Sequence, residues 1–338
     1  MSTIKDIAAA CGVSIATVSK ALNGHDDVAE KTKRLVKDTA KALGYTPNSW
    51  ARALKTNCTY NLGVLFAEKA GTGLTHFYFS GVLNSFKGYA ESCGYDVTFV
   101  GSKFGNVNMT YLEHCKCRGF DGLFICCVDD FEDEQIVDLF HDNLPMVSLD
   151  FRREGKPAVF SDNRRGMQEL VRYAYSRGHK KIAYICGEDA GVTTERTASY
   201  LYTLNALGID PRNEYLAIGR YADVNVTAAA TEKLLDLPDP PTCIIMPDDF
   251  AALGGINAIT KRGLKVPDDI SVIGYDGINL SDVLQPKLTT YRQDAFRIGR
   301  VAAKNLISFI DDRRDTGIQL VDGTFIEGGT VKLLYDAS

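Results

Sequence analysis

Side chains suited to contacting DNA concentrate between residues 14 and 23. Short hydrogen-bonding residues lie on or beside a predicted helix whose N-terminal N–H groups and dipole favour phosphate. This positioning set is Ser14, Thr17, Ser19 and Asn23. Ile15, Ala16 and Lys20 face outward from the same helix. An apolar side chain can contact a thymine methyl group, and a lysine can donate to O6 and N7 of guanine. The segment therefore has the residue types that read bases.

Three short helices must position these side chains. Thr3 can cap a first helix with apolar positions Ile4, Ile7, Ala8 and Cys11, and Gly12 then allows a sharp turn. Ser14 caps the second helix, Ile15 to Leu22, which should bury Val18 and Leu22. A third helix from about Ala29 to Leu43 should turn Leu35, Val36 and Leu43 inward, before Gly44 ends it. The pattern predicts a helix-turn-helix, and its alternative is a small bundle used only for packing.

Charge divides the chain in the same place. Residues 1–60 hold nine Lys or Arg against five Asp or Glu, whereas the rest hold 29 against 38. A basic head on an acidic body predicts that only the head meets a polyanion.

After residue 61, short apolar runs alternate with amphipathic helices, which is typical of parallel α/β sheets. Five strands are expected in a first lobe: 62–66, 97–100, 122–128, 146–149 and 158–160. Four are expected in a second lobe: 182–186, 215–218, 243–246 and 272–275. A helix should then run from residue 295 to about 311, and a short strand from 324 to 326. Two such lobes bind small molecules in the cleft at the carboxyl ends of their strands.

Enzyme and metal motifs are not found. Gly71, Gly73 and His76 lack the third glycine of a dinucleotide fingerprint, and no GxxxxGK[ST], HExxH or GxSxG pattern occurs. His114, Cys115 and Cys117 lack a second ligand pair for zinc. The nine scattered cysteines are expected to be reduced. Neither a signal peptide nor a membrane span is predicted, so the chain is expected in the cytoplasm.

The head resembles that of the LacI-type family of transcriptional regulators. The matching fragments are IKDIA (4–8), GVS (12–14), ATVSKALNG (16–24), VAEKT (28–32), LGYTPN (43–48) and ARALKT (51–56). The resemblance implies a helix-turn-helix domain at 1–47 and a hinge helix with linker at 48–60. It places the base-reading positions on Ile15, Ala16 and Lys20. It also implies DNA contacts from Thr3 and Tyr45.

In that family the hinge folds on operator DNA. The resemblance makes Leu54 an apolar wedge in the minor groove, with Arg52 and Lys55 beside the backbone. The alternative is an ordinary linker leucine. Because two hinges must pair across one duplex, the resemblance implies a homodimer on a pseudo-palindromic operator. No coiled-coil pattern follows the last strand, so a dimer is the expected assembly.

The rest of the chain resembles the type I periplasmic-binding-protein fold. The matching fragments are VFSDN (159–163), RGHKKI (177–182), PDD (247–249), ALG (252–254), VIGYD (272–276) and PKLTT (286–290). The resemblance implies an effector-binding and dimerisation domain at 61–338 with two doubly wound parallel sheets. Its N-lobe would span about 61–161 and 292–322, and its C-lobe about 162–291 and 323–338.

The resemblance also implies a set of effector-binding residues: Phe77, Tyr78, Phe79, Asp162, Arg196, Tyr221, Asp248 and Asp276. Carboxylates, an arginine fork and aromatic faces suit a sugar, which is the expected effector. Two alternatives concern packing: Phe77 to Phe79 could lie in a dimer interface, and Asp162 could cap a helix.

Asp248-Asp249 stands where the family often has Asn-Asp, Tyr221 where it often has an indole, and Phe77 where it often has proline. A purine, nucleoside or oligosaccharide therefore stays open. The expected function is a sugar-controlled repressor of carbohydrate genes without cofactor or metal, and the alternative is a corepressor-dependent regulator. A solute-binding receptor would account for the acidic body but not for the basic head.

Overall fold

The chain forms two units, Met1–Thr59 and Tyr60–Ser338. The structure, a computed structural model, describes residues 2–45, 58–67, 73–128, 130–188 and 190–334. Within these ranges no helix combines the length and the apolar composition needed to cross a membrane.

The first unit, called the head, contains α1 (Ile4–Cys11), α2 (Ile15–Leu22) and α3 (Glu30–Ala42), close to the predicted helices. Thr3 begins α1 with a capping box, in which the Asp6 carboxylate accepts a 2.8 Å hydrogen bond from the Thr3 N–H. Gly12 ends α1 at φ 65°, a left-handed conformation that favours glycine. Ile7, Val18 and Val36 are fully buried where the three helices meet.

The inward face of α3 was predicted wrongly at two positions. Leu35 and Leu43 are 48% and 38% exposed, whereas Val36 is fully buried. The buried side chains Lys33, Val36 and Ala40 are three and four residues apart, so they define one helical face. Leu35 lies about 100° away from that face. Leu43 follows the last helical residue, so helical spacing no longer directs its side chain.

The second unit, called the two-lobed unit, alternates strands with helices. Its strands are β1 (Asn61–Ala67), β2 (Asp96–Phe99), β3 (Lys103–Phe104), β4 (Val107–Asn108), β5 (Gly122–Val128), β6 (Met146–Leu149), β7 (Ala158–Ser161), β8 (Ile182–Cys186), β9 (Leu216–Ile218), β10 (Cys243–Ile245), β11 (Ser271–Ile273), β12 (Thr290–Arg292), β13 (Ile318–Val321) and β14 (Thr324–Ile326). Its helices are α4 (Phe77–Ser92), α5 (Tyr111–Arg118), α6 (Glu134–His141), α7 (Asn163–Ser176), α8 (Gly191–Ala206), α9 (Val224–Leu235), α10 (Asp249–Lys261), α11 (Asn279–Val283) and α12 (Ala295–Asp312).

The first sheet is parallel, in the order β13-β7-β6-β5-β1-β2. Helices α4 and α12 cover one face, and α5 and α6 cover the other, so both faces are buried. The expectation of five strands was therefore one short. The sixth, β13, has no continuous apolar run, because Ile318 and Leu320 are exposed at the sheet edge.

Gly299 lets α12 approach α4 closely. A Cβ atom at this position would lie 2.0 Å from the carbonyl oxygen of Val82 in α4. The layer over the first sheet therefore depends on a residue without a side chain at the helix crossing.

The second sheet is also parallel, in the order β11-β10-β8-β9. Helices α7 and α8 pack on one face, and α9 and α10 pack on the other. Strands β12 and β14 form an antiparallel pair beside this sheet. The chain passes between the lobes after β7, after β12 and after β13. Both doubly wound sheets expected from the sequence are confirmed.

Candidate functional site

Helix α2 has one buried face and one exposed face. Val18 and Ala21 are fully buried, whereas Leu22, expected inside, is half-buried at the last helical position. Ile15 is 46% exposed although it is a large apolar residue, and Ala16 and Lys20 are also exposed. The three side chains expected to read bases therefore share the accessible side of this helix.

Polar side chains hold both ends of α2. The Thr17 N–H donates to Ser14 Oγ over 3.0 Å, and the two hydroxyl groups lie 2.8 Å apart. At the other end, Asn23 Nδ2 donates to the Ser19 carbonyl oxygen over 2.7 Å. The short polar residues therefore support the helix, and Ser14 and Thr17 lie at its positive N-terminal end.

The remaining residues of the predicted DNA interface have different positions. Thr3 caps α1, and Tyr45 packs half-buried against the head core. Arg52, Leu54 and Lys55 lie outside the residues that the structure describes, as does most of the expected hinge.

Two cavities lie between the lobes of the second unit. One, of about 260 Å³, is bounded by Phe77 from the first lobe and by Asp248, Phe250 and Asp276 from the second. The other, of about 760 Å³, is lined by Asp150 and Phe160 of the first lobe and by residues of α7 and α8. Asp150, Asp248 and Asp276 all follow the carboxyl ends of parallel strands, where such sheets bind ligands.

Arg196 is a buried cation of α8 that lines neither cavity and contacts residues of the second lobe. Its Nε donates to Asn163 Oδ1 over 2.8 Å, and its Nη1 donates to the Pro247 carbonyl oxygen over 3.3 Å. The guanidinium carbon lies 3.6 Å from the centre of the Tyr275 ring. Arg196 makes no ion pair with a carboxylate among the described residues, so its charge is balanced over longer distances.

Asp248 begins α10 and faces the smaller cavity. Its carboxylate accepts hydrogen bonds of 2.7 Å from the N–H groups of Ala222 and Ala251. Burial, followed by the charge of Asp276, raises the pKa of Asp248 to about 7. Asp276 itself accepts a 2.6 Å hydrogen bond from Gln293 Nε2 and has φ 97°, so the backbone is strained there.

Asp249 has a structural position instead. It is buried, and its carboxylate accepts hydrogen bonds from Thr290 Oγ1 over 2.6 Å and from the Ile278 N–H over 2.8 Å. It joins α10 to the segment after β11 and to the first residue of β12.

Asp150 is a cleft residue that the sequence interpretation missed. The residue is half-buried, but its carboxyl group is enclosed, and burial raises its pKa to about 7. The Ser161 N–H donates to its Oδ1 over 3.1 Å. Its position directly after β6 was a usable signal, because Asp248 and Asp276 were selected at equivalent strand ends.

Tyr221, Tyr78 and Phe79, which were also expected to bind the ligand, line neither cavity. Tyr221 has its hydroxyl group 2.9 Å from Thr193 Oγ1, and its ring faces the guanidinium of Arg196. Tyr78 and Phe79 pack against the core of the first lobe. The buried Tyr78 hydroxyl has no hydrogen-bond partner among the described residues.

Asp162 begins α7, where it accepts a 3.0 Å hydrogen bond from the Arg165 N–H. It does not line either cavity, so the capping interpretation describes its contacts.

Comparisons with known proteins agree with both units. Residues 3–48 match the model of bacterial regulatory proteins of the lacI family, and residues 171–331 match a periplasmic binding protein-like domain. The chain is 32% identical to the probable HTH-type transcriptional repressor ExuR of Bacillus subtilis (strain 168), over 96% of each chain. It is 30% identical to the HTH-type transcriptional repressor PurR of Vibrio atlanticus (strain LGP32), over 99% of this chain and 100% of that one.

Among solved structures, the lac repressor dimer bound to operator and the anti-inducer ONPF matches with a TM-score of 0.84 and 26% identity. That match covers 98% of this chain and 99% of the other. The resemblance found in the sequence is thereby confirmed over both units. The chain belongs to the lacI family of bacterial regulatory proteins and is a DNA-binding transcriptional regulator with an effector domain.

Proposed function

We propose that this protein is a homodimeric repressor whose affinity for a pseudo-palindromic operator is controlled by a small molecule in the interlobe cleft. The observation that carries this proposal is the cleft: Asp150 from the first lobe and Asp248 and Asp276 from the second line its cavities, in a chain whose helix α2 also exposes Ile15, Ala16 and Lys20. The chain is proposed to be a regulator and not an enzyme, as its curated relatives are repressors.

In this proposal Ile15, Ala16 and Lys20 read base edges, because they share the exposed side of α2. The other DNA contacts position the protein on the backbone or wedge the minor groove at the hinge. They are proposed for Thr3, Ser14, Thr17, Ser19, Asn23, Tyr45, Arg52, Leu54 and Lys55. The proposal assigns residues 1–47 to the DNA-binding domain, 48–60 to the hinge helix and linker, and 61–338 to the effector domain. The lobes of the effector domain are divided near residues 161, 292 and 322.

The effector is proposed to be a polyhydroxylated molecule, with a sugar as the first choice. Carboxylates accept pairs of hydroxyl hydrogens, Arg196 supplies donors, and Phe77 and Tyr221 supply aromatic faces. Asp162, Tyr78 and Phe79 would act by shaping this site.

A purine or nucleoside corepressor is the second candidate. Two observations favour it: the aromatic ring of Phe77 at the smaller cavity offers a stacking surface, and relatives named PurR match over nearly the whole chain. The two candidates predict opposite signs for the same linkage, because an inducer favours the released state and a corepressor favours the bound one.

Selection of bound duplexes from a random DNA library at near-physiological salt tests the proposal, because such salt suppresses sequence-independent binding. We expect one two-fold symmetric site to be enriched. If none is enriched, the selection is repeated with metabolite extract, and rescue would identify a corepressor. Failure in both experiments would exclude the regulator proposed here.

With the selected site in hand, sugars and purines are added singly, and the change in operator affinity gives the sign. Fluorescence of Trp50, the only tryptophan, should change when operator orders the hinge. Leu54→Ala should weaken operator binding and leave ligand affinity unchanged. Equal operator affinity in that variant would remove the wedge role.

A further inference from the structure

Lys20, at the exposed end of α2, is paired with a carboxylate from the next loop. Its ammonium group contacts Asp27, and the two side chains remain 49% and 54% exposed. The hydrogen bond from Lys20 lowers the pKa of Asp27, so this carboxylate is ionised at neutral pH. A cation and an anion in contact are therefore presented together beside the face that carries Ile15 and Ala16.

The loop that holds Asp27 is anchored to both the helix and the core. The His25 N–H donates to the Lys20 carbonyl oxygen over 3.1 Å, and the Val28 N–H donates to the His25 carbonyl oxygen over 3.3 Å. Val28 is buried with the core residues of the head. Asp27 lies directly between these anchors, so its position relative to Lys20 is set by the fold.

We propose that Lys20 and Asp27 act as one unit that recognises a G·C base pair, with Asp27 as a specificity-determining residue. The ammonium would donate to O6 and N7 of guanine, and the carboxylate would accept from the N4 amino group of the paired cytosine. Guanine O6 and cytosine N4 are neighbours on the major-groove edge, so a donor and an acceptor in mutual contact match them. This inference rests on the proposed role of α2 as the recognition helix.

The Lys20–Asp27 pair also affects binding to DNA sequences that lack the G·C pair. A free lysine is attracted to any phosphate, which raises sequence-independent affinity. In contact with Asp27, the ammonium has a partner of its own, and the carboxylate repels phosphate. At a position without a cytosine amino group, the carboxylate has no donor to accept from and faces base acceptors such as thymine O4.

The chain offers a matched control next to Asp27. Asp26 is also exposed, and it forms no ion pair within the described part of the head. Asp26→Asn and Asp27→Asn remove the same charge one residue apart, and only the second removes the partner of Lys20. Asp27→Glu keeps the carboxylate and serves as the conservative variant.

The experiment uses the full chain, first in the duplex selection and then in affinity measurements on the selected site with each base pair exchanged in turn. We expect a G·C pair at one position of each half-site in the wild-type selection. Asp27→Asn should reduce the preference for G·C at that position about tenfold. On a duplex without the selected site, the salt dependence of log K should also steepen by about 1 in Asp27→Asn, because Lys20 is then free for phosphate.

Asp26→Asn and Asp27→Glu should both keep the preference. An unchanged preference in Asp27→Asn, an equal loss at every position, or the same loss in Asp26→Asn would each overturn the inference. If the wild type itself enriches no site, the proposed function fails instead. Circular dichroism of each variant identifies a misfolded one. A loss of the preference in folded Asp27→Glu as well as in Asp27→Asn would also overturn the inference, because the carboxylate is then not the recognising group.

Discussion

In the head, the polar groups proposed to act on a partner are exposed and are held by residues nearby in the chain, as Ser14 and Thr17 are. In the two-lobed unit, the corresponding groups line cavities and come from distant segments, as Asp150 and Asp248 do. The difference follows from the partner. A rigid duplex must be met by a surface, whereas a small molecule binds most selectively where water is excluded.

The same contrast appears in the pKa values. The head carboxylates Asp6, Asp27 and Glu30 have lowered pKa values because N–H, hydroxyl and ammonium groups donate to them. In the cleft, burial raises the pKa of Asp150 and of Asp248 to about 7. A ligand that donates to these two carboxylates would favour their ionised forms and would release protons on binding.

The largest expected effect is on the packing of the two-lobed unit alone. Gly299→Ala places a Cβ 2.0 Å from the Val82 carbonyl oxygen, so α12 must move away from α4. We expect a loss of about 3 kcal/mol in the free energy of unfolding of this unit. Gly88→Ala is the control in α4, because a Cβ there meets nothing within 4 Å. That control should stabilise the unit by about 0.5–1 kcal/mol. Hydrogen exchange, followed separately in each unit, measures the stability change in both variants. Destabilisation of the head by Gly299→Ala would contradict the expectation that the change is confined to the two-lobed unit.

The next expected effect is on ligand binding in the cleft of the two-lobed unit. Arg196→Met removes the donors to Asn163 and Pro247. It should weaken binding of the tightest-binding sugar or purine about 100-fold, or about 2.7 kcal/mol. Ligand-induced thermal shift measures the loss. Arg172→Met, at an exposed position of α7, should leave the shift intact. Equal shifts in both variants would show that the ligand does not use Arg196.

A further comparison separates the units by the direction in which their stability changes with pH. The pKa of Asp150 rises from 3.8 to about 7 on folding, so the folded state binds its proton more tightly. The two-lobed unit should therefore lose stability as pH rises from about 4 to about 7, by at most about 1.4 kcal/mol per pH unit for one carboxyl group. The lowered pKa values in the head predict the opposite: its stability is lost as pH falls below about 4.

Unfolding of each unit between pH 3 and pH 8 measures both trends. Asp150→Asn should reduce the slope of the two-lobed unit between pH 5 and pH 7, and the part of the slope that comes from Asp248 should remain. Asp236→Asn removes an exposed carboxylate whose pKa Arg262 lowers, so it should change stability only at lower pH. A slope that is the same in Asp150→Asn as in the wild type would assign the whole effect to other groups.

The smallest expected effect comes from removing a capping box, a motif that both units contain. Thr3 in the head and Thr110 before α5 each begin a helix with a capping box, completed by Asp6 and Glu113. Thr3→Ala and Thr110→Ala should each cost about 1 kcal/mol, and each should destabilise only its own unit. Unit-resolved hydrogen exchange would contradict independent folding if either variant destabilised both units.

The sequence by itself determined the local elements. Thr3, Gly12 and Ser14 predicted the helix boundaries of the head because caps act between residues three or four positions apart. Continuous apolar runs such as residues 122–128 predicted the central strands, because parallel strands are buried on both faces. Family motifs along the chain identified the two-lobed architecture, and three of the expected ligand residues, Phe77, Asp248 and Asp276, line the smaller cavity.

The tertiary structure decided what depends on distant neighbours. The half-exposed strand β13 becomes part of a sheet only by pairing with β7, more than 150 residues earlier. Asp150 joins the cleft because β6 ends opposite the second lobe, and Lys20 meets Asp27 because Val28 is anchored in the head core. Caps and apolar runs act within a few residues and can be read along the chain, whereas the pairing of strands and of charges depends on which distant surfaces folding brings into contact.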